Sequence, residues 1–112
     1  MCLSDWKCEE NRNCGTDTDN PTQPTCKFNY KNPNSVDISI PDNSVEGCFL
    51  WAERECNADT IAFINGNSCH GYMNGCPYEE TDSLGGETTH FCKKYRNINC
   101  LETLYKRTLY TS

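Results

Sequence analysis

Ten cysteines and two histidines are the residues of this 112-residue chain whose types could do chemistry. A cysteine beside a histidine can serve as nucleophile and base, and Cys69-His70 supplies such a pair. An even number of cysteines in a short, polar chain argues instead for a disulfide scaffold, in which each sulfur is bridged and inert. Structural zinc would need Cys-x₂-Cys pairs or tight Cys/His clusters, whereas Cys2, Cys8 and Cys14, the closest cysteines, are each separated by five residues. The carboxylates Glu9-Glu10, Glu53 with Glu55, and Glu79-Glu80 are of the type used in glycoside cleavage. In an acidic chain they read as solvated charges. Asp17 and Asp19 lack the third ligand, the glycine and the distant glutamate of a calcium loop. No Gly-x-Ser-x-Gly and no phosphate loop is present. The expectation is a protein that is not an enzyme and carries no metal and no cofactor.

Cys2, Cys8, Cys14, Cys26, Cys48, Cys56, Cys69, Cys76, Cys92 and Cys100 are therefore expected to form five disulfides, with a pairing that sequence leaves open. Only 36% of the residues are hydrophobic, so bridges contributing roughly 2–4 kcal/mol each must support a thin core. Such bridges persist in oxidising surroundings, and the chain is expected to be secreted. The start, "MCLSDWKC", has neither the basic nor the apolar region of a signal peptide, so it reads as the start of a mature form. No stretch approaches the ~20 apolar residues of a membrane span, so no membrane insertion is expected.

A net charge of -6 argues against nucleic acid as a partner. Residues 43–89 carry eight acids against Arg54 alone, whereas residues 90–112 carry Lys93, Lys94, Arg96, Lys106 and Arg107 against Glu102. This split is expected either to be two solvated faces or to orient a partner, including a second copy of the chain. Two Trp, four Phe and six Tyr are many for so thin a core. Exposed aromatics are common anchors of binding surfaces, which nominates Trp51 and an aromatic-basic patch of Tyr105, Lys106, Arg107 and Tyr110.

The elements that must position these residues fall into two parts, 1–42 and 43–112. In the first, Cys2, Cys8, Cys14 and Cys26 are expected to close on one another and staple an irregular N-terminal lobe. "GTDTDNPTQPT" is a loop within it, and "SVDISI" (residues 35–40) alternates as one short strand ended by Pro41. In the second, "DNSVEGCFLWAEREC" is a helix capped by Asn43 or Ser44. Its apolar stripe is Val45, Cys48, Phe49, Ala52 and Cys56, with cysteines placed to staple both ends. "NADTIAFINGNSCHGYMNGCP" (57–77) has two readings. Asn65-Gly66 is a strong hairpin signal. Alternatively Asn57 and Asn67 or Ser68 cap two short helices that stop at Gly66 and Gly75. Thr88 or Thr89 is expected to cap a closing helix in which Cys92 and Cys100 repeat the two-turn staple. The leading expectation is a small disulfide-rich, mainly α fold, with a three-helix-type bundle in 43–112. The alternative is an α+β hairpin and helix.

Two family resemblances accompany these readings. The dense cysteines, the abundant Asn, Thr and Tyr, the acidic balance and the run "CHGYMNGCP" resemble the secreted mating pheromones of ciliates of the Euplotes type, in a longer subtype. That resemblance implies a helical signalling ligand read by a cell-surface receptor, with helix faces that also self-associate. "SVEGCFLWAEREC" followed by "CNADTIAF", "NGN" and "SCHGY" resembles a PAN/apple module, which implies a helix on a sheet and adhesion to a protein or a glycan. It departs from that pattern in having three extra residues between Cys56 and Ala62-Phe63. A secreted toxin or protease inhibitor, presenting "DTDNPTQPT" as a rigid loop, is a third class that the scaffold permits.

Overall fold

Asn65 and Gly66 both take positive φ, 54° and 65°, as the central residues of a type I′ turn must. The Asn67 N–H closes the turn on the Ile64 carbonyl at 2.9 Å. Residues 57–77 are thus built round a hairpin. The chain is described by a computed structural model over residues 5–15, 23–31, 42–83 and 87–95. Its elements are β1 (Asp5–Glu10), β2 (Arg12–Cys14), β3 (Cys26–Asn29), α1 (Val45–Cys56), β4 (Thr60–Ile64), β5 (Ser68–Tyr72), β6 (Glu80–Asp82) and β7 (Thr89–Tyr95). Five strands form an antiparallel sheet in the order β1-β7-β4-β5-β3, and β2 pairs with β6 in a second, two-stranded sheet.

This arrangement overturns the mainly α expectation. The single helix among the described residues is α1, and its start is set as the sequence indicates: the Ser44 hydroxyl accepts the Gly47 N–H at 2.9 Å. Its end explains why the helical reading of the next stretch fails. Asn57 does not cap a second helix; it sits in the left-handed region (φ 53°, ψ 39°) and terminates α1, its N–H turned onto the Ala52 carbonyl. The expected closing helix is also absent over 89–95. "THFCKKY" is β7, flanked on both sides by strands, so its Thr, Phe and Tyr serve a pleated surface rather than a helical stripe.

Helix α1 crosses one face of the sheet. Cys48, Trp51 and Ala52 are buried beneath it against Phe28, Ile61, Phe63, Cys69 and Cys92, with Val45, Phe49 and Cys56 at the margin. Trp51, nominated as an exposed anchor, lies three residues after Cys48 and so shares its buried face. The helix approaches closely because β5 presents Gly71 to it. A Cβ there would stand 2.9 Å from both the Ala52 methyl and Cys26 Sγ. The opposite face packs Ala62, Tyr72 and Phe91 against Cys14, with Ile64 and Cys76 at the edge.

The disulfides fasten these layers. Cys48–Cys69 and Cys26–Cys56 tie the two ends of α1 to β5 and β3. Cys8–Cys92 joins β1 to β7, and Cys14–Cys76 joins β2 to the segment after β5. Cys8, Cys14 and Cys26 therefore do not close on one another. Each reaches across residue 42, whose two sides share one sheet. Cys92 lies in a strand, so the second helical staple is not formed. The loops closed span 21 to 84 residues, which the chain-entropy account values at about 3–5 kcal/mol per bridge. Cys2 and Cys100 lie outside the described residues, as do the strand expected at 35–40 and residues 16–22 of the loop expected at 15–25.

Candidate recognition groove

Among the described residues β1 is an edge of the five-stranded sheet, paired with β7 on one side. Its register continues into the Asn11 N–H bond to the Thr89 carbonyl at 2.9 Å. Hydrogen-bonded and non-hydrogen-bonded pairs alternate along an antiparallel ladder. The odd residues, Asp5, Lys7 and Glu9, therefore turn their backbone groups to β7, and Trp6, Cys8 and Glu10 turn theirs outwards. Side chains alternate as well: Trp6 and Cys8 lie on the helix side, and Asp5, Lys7 and Glu9 on the other.

On the helix side Trp6 stacks on Phe49 of α1, with ring centroids 4.9 Å apart and planes 11° from parallel. The indole N–H donates to Glu53 Oε2 at 3.1 Å, and Lys94 Nζ meets Glu53 Oε1 at 2.8 Å. The lysine hydrogen bond, with help from the indole and against some desolvation, holds the Glu53 carboxyl below its ordinary range. Glu53 is thereby kept charged and fixes the indole. Beside this stack Leu50 is 51% exposed. Asp5, Trp6, Lys7, Glu46, Phe49, Leu50 and Glu53 line a shallow groove of ≈ 500 Å³. Across β1 is a smaller hollow of ≈ 210 Å³, where Lys7 Nζ lies 5.3 Å from the centre of the Tyr95 ring and Lys93 borders Phe91. One edge strand therefore has a hollow on each of its faces, one aromatic with carboxylates and one cationic with a phenol.

The residues considered for chemistry are placed differently. Cys69 and His70 are consecutive in β5, so their side chains point to opposite faces, and Cys69 is bridged to Cys48. They form no dyad. Burial, with Lys27 nearby, pushes the His70 imidazole down to about 4, opposed only weakly by Glu87. It is neutral at physiological pH. Glu80 is held by Lys93 and by Arg12, and Arg12 also meets Glu9 and Asp82. The acids of 43–89 and the bases of 90–95 thus pair within one chain, as Glu80 with Lys93 and Glu53 with Lys94. To that extent the charge split is internal. Among the described residues no His, Cys, Asp and Glu group has a metal-binding arrangement.

Of the predicted binding residues, Trp51 is in the core with 4% exposure, and its Nε1 has no hydrogen-bond partner among the described residues. It cannot anchor a partner. Tyr105, Lys106, Arg107 and Tyr110 lie outside the described residues. Sequence reasoning missed Trp6, Phe49, Leu50, Lys7 and Tyr95. "DWKCEE" alternates only briefly, with Trp6 and Cys8 between Asp5, Lys7 and Glu9, and two apolar residues are a weak strand signal; Leu50, apolar and off the helical stripe, was a second legible hint. No protein-family model, curated protein or solved structure matches the chain.

Proposed function

We propose that this is an extracellular, non-enzymatic recognition module that docks a protein partner in the groove between α1 and the side of β1 that no described strand covers. The observation that carries this reading is the Trp6–Phe49 stack, which lies beside exposed Leu50 and is flanked by the carboxylates of Glu46 and Glu53. Aromatic anchors in a hollow with a polar rim are where interface energy concentrates. A strand edge unpaired among the described residues adds main-chain donors and acceptors to it. Four disulfides among the described residues of so small a chain suit an oxidising compartment. A helix across an antiparallel sheet with an Asn-Gly hairpin favours the adhesive reading, that of the PAN/apple resemblance, over the signalling one, which relied on a helical bundle.

The test is saturable binding of the labelled, oxidised protein to intact cells, compared between wild type and Leu50→Glu. Leu50 is half exposed, so a charge there leaves the fold intact while spoiling the groove. A tenfold or greater loss of binding supports the reading. Undiminished binding by Leu50→Glu overturns it.

A further inference from the structure

We propose that the partner docking on the β1 edge is a second copy of this chain, added as an antiparallel β1–β1′ pair centred on Trp6. The inference rests on the groove being the recognition surface and names its occupant. Three observations on β1 carry it.

The first is backbone polarity. Trp6 turns its N–H and C=O away from β7, so two Trp6 residues facing one another can exchange both bonds of a hydrogen-bonded pair. The second is the order of charges about that centre. With Trp6 opposite Trp6′, Asp5 falls opposite Lys7′ and Lys7 opposite Asp5′. Both are non-hydrogen-bonded pairs, the positions where cross-strand side chains come closest. The third is the apolar groove. This register brings two copies of Trp6, Phe49 and Leu50 to the same side of the joint sheet and covers what a monomer leaves exposed.

Sliding the pair by one residue per chain places Lys7 opposite Lys7′ and Asp5 opposite Glu9′, which are like charges and destabilising. A further slide places Lys7 opposite Glu9′, but sets Trp6 against Glu10′ and separates the apolar grooves. The net charge of -6 repels two copies. At physiological salt that repulsion is screened beyond about 8 Å, whereas Asp5–Lys7′ acts at contact. A joint of one edge strand and one shallow groove is small, so the dimer is expected to be weak and concentration-dependent.

The experiment is sedimentation equilibrium of the full oxidised chain over a wide concentration range, with far-UV circular dichroism confirming that each variant is folded. Wild type is expected to rise towards twice the monomer mass. Asp5→Lys alone and Lys7→Asp alone should each weaken association tenfold or more, since each sets like charges face to face twice. The double variant D5K/K7D should restore it. An equimolar mixture of D5K with K7D should form heterodimers, because their charges then match across both pairs. Failure of the mixture and of the double variant to recover would overturn the proposal, and so would a strictly monomeric wild type. Should the wild type stay monomeric while Leu50→Glu still abolishes cell binding, the groove remains the recognition surface and only its occupant is wrong. Absence of both dimer and Leu50-dependent cell binding overturns the two together.

Discussion

The Trp6 indole lies flat on the Phe49 ring, 4.9 Å between centroids, and this stack joins β1 to α1 where the helix crosses the sheet. Both residues are half-buried, so removing either ring loses about half of what a fully buried aromatic contributes, together with ~0.5–1.5 kcal/mol for the ring pair itself. Trp6→Ala and Phe49→Ala are each expected to destabilise by about 2 kcal/mol. The double variant should cost less than their sum, because the two share one contact. Urea unfolding of the four proteins checks this, and strict additivity would argue against the stack.

Gly71 and Gly66 should respond to alanine for different reasons. At Gly71 the new methyl would meet the Ala52 Cβ and Cys26 Sγ at 2.9 Å and Cys56 Sγ at 3.1 Å. Two disulfide sulfurs and a helix cannot all move aside, so a loss in the overpacking range of about 1–3 kcal/mol is expected, near its upper end. At Gly66 there is open space, and only the positive φ of 65° opposes the substitution. About 1 kcal/mol is expected there. The contrast is checked by denaturation midpoints, and Gly71→Ala should lie clearly below Gly66→Ala.

How far the fold was legible can be argued from the same residues. The Ser44 cap and the Asn65-Gly66 turn were both readable, because each is decided by the chain's own neighbours within three or four residues. The balance between hairpin and helices at 57–77 was not, because it turns on Asn57. Its left-handed conformation ends α1, yet as a residue type Asn caps either end of a helix. β7 was misread for a further reason. Phe91, Cys92 and Tyr95 fit a helical spacing, and only the strands on each side, from residues 5–10 and 60–64, fix "THFCKKY" as extended. The groove was illegible because Trp6 is far in sequence from Phe49 and Leu50 and meets them only through the sheet. No local pattern encodes that meeting.

Acid should weaken the fold over a window set by His70. Its imidazole titrates near 4 in the folded chain, against 6.5 as the ordinary value, through burial and the nearby Lys27. Between these values the unfolded chain binds the additional proton, so stability rises with pH. The contribution is fully present above about 6.5 and is lost as pH falls through that range towards 4. At about 1.4 kcal/mol per pH unit, and allowing for partial solvent access, about 2 kcal/mol should disappear. Glu53 and Glu80, held below their ordinary values, act in the same direction but at lower pH. Urea midpoints between pH 7.5 and 5 should therefore fall for wild type and stay nearly level for His70→Gln. An equal slope in both would assign the effect to other groups.

The disulfide pairing is a direct test of the topology, since each bridge joins elements that are distant in sequence. Proteolysis without reduction, followed by mass analysis, is expected to recover Cys8 with Cys92, Cys14 with Cys76, Cys26 with Cys56 and Cys48 with Cys69. A helical bundle on a separate N-terminal lobe would instead link Cys2, Cys8, Cys14 and Cys26 among themselves, and that pattern would overturn the fold. The four bridges should not be equal in effect. Cys48 and Cys69 are both fully buried, so replacing the pair by Ala removes core volume as well as the closed loop of 21 residues. The loop alone is worth about 3 kcal/mol, and the lost packing adds to it. Cys8 is exposed on the edge strand, so C8A/C92A opens a loop of 84 residues but vacates less of the core. Thermal unfolding should rank C48A/C69A below C8A/C92A if packing dominates. The reverse order would show that the length of the closed loop decides.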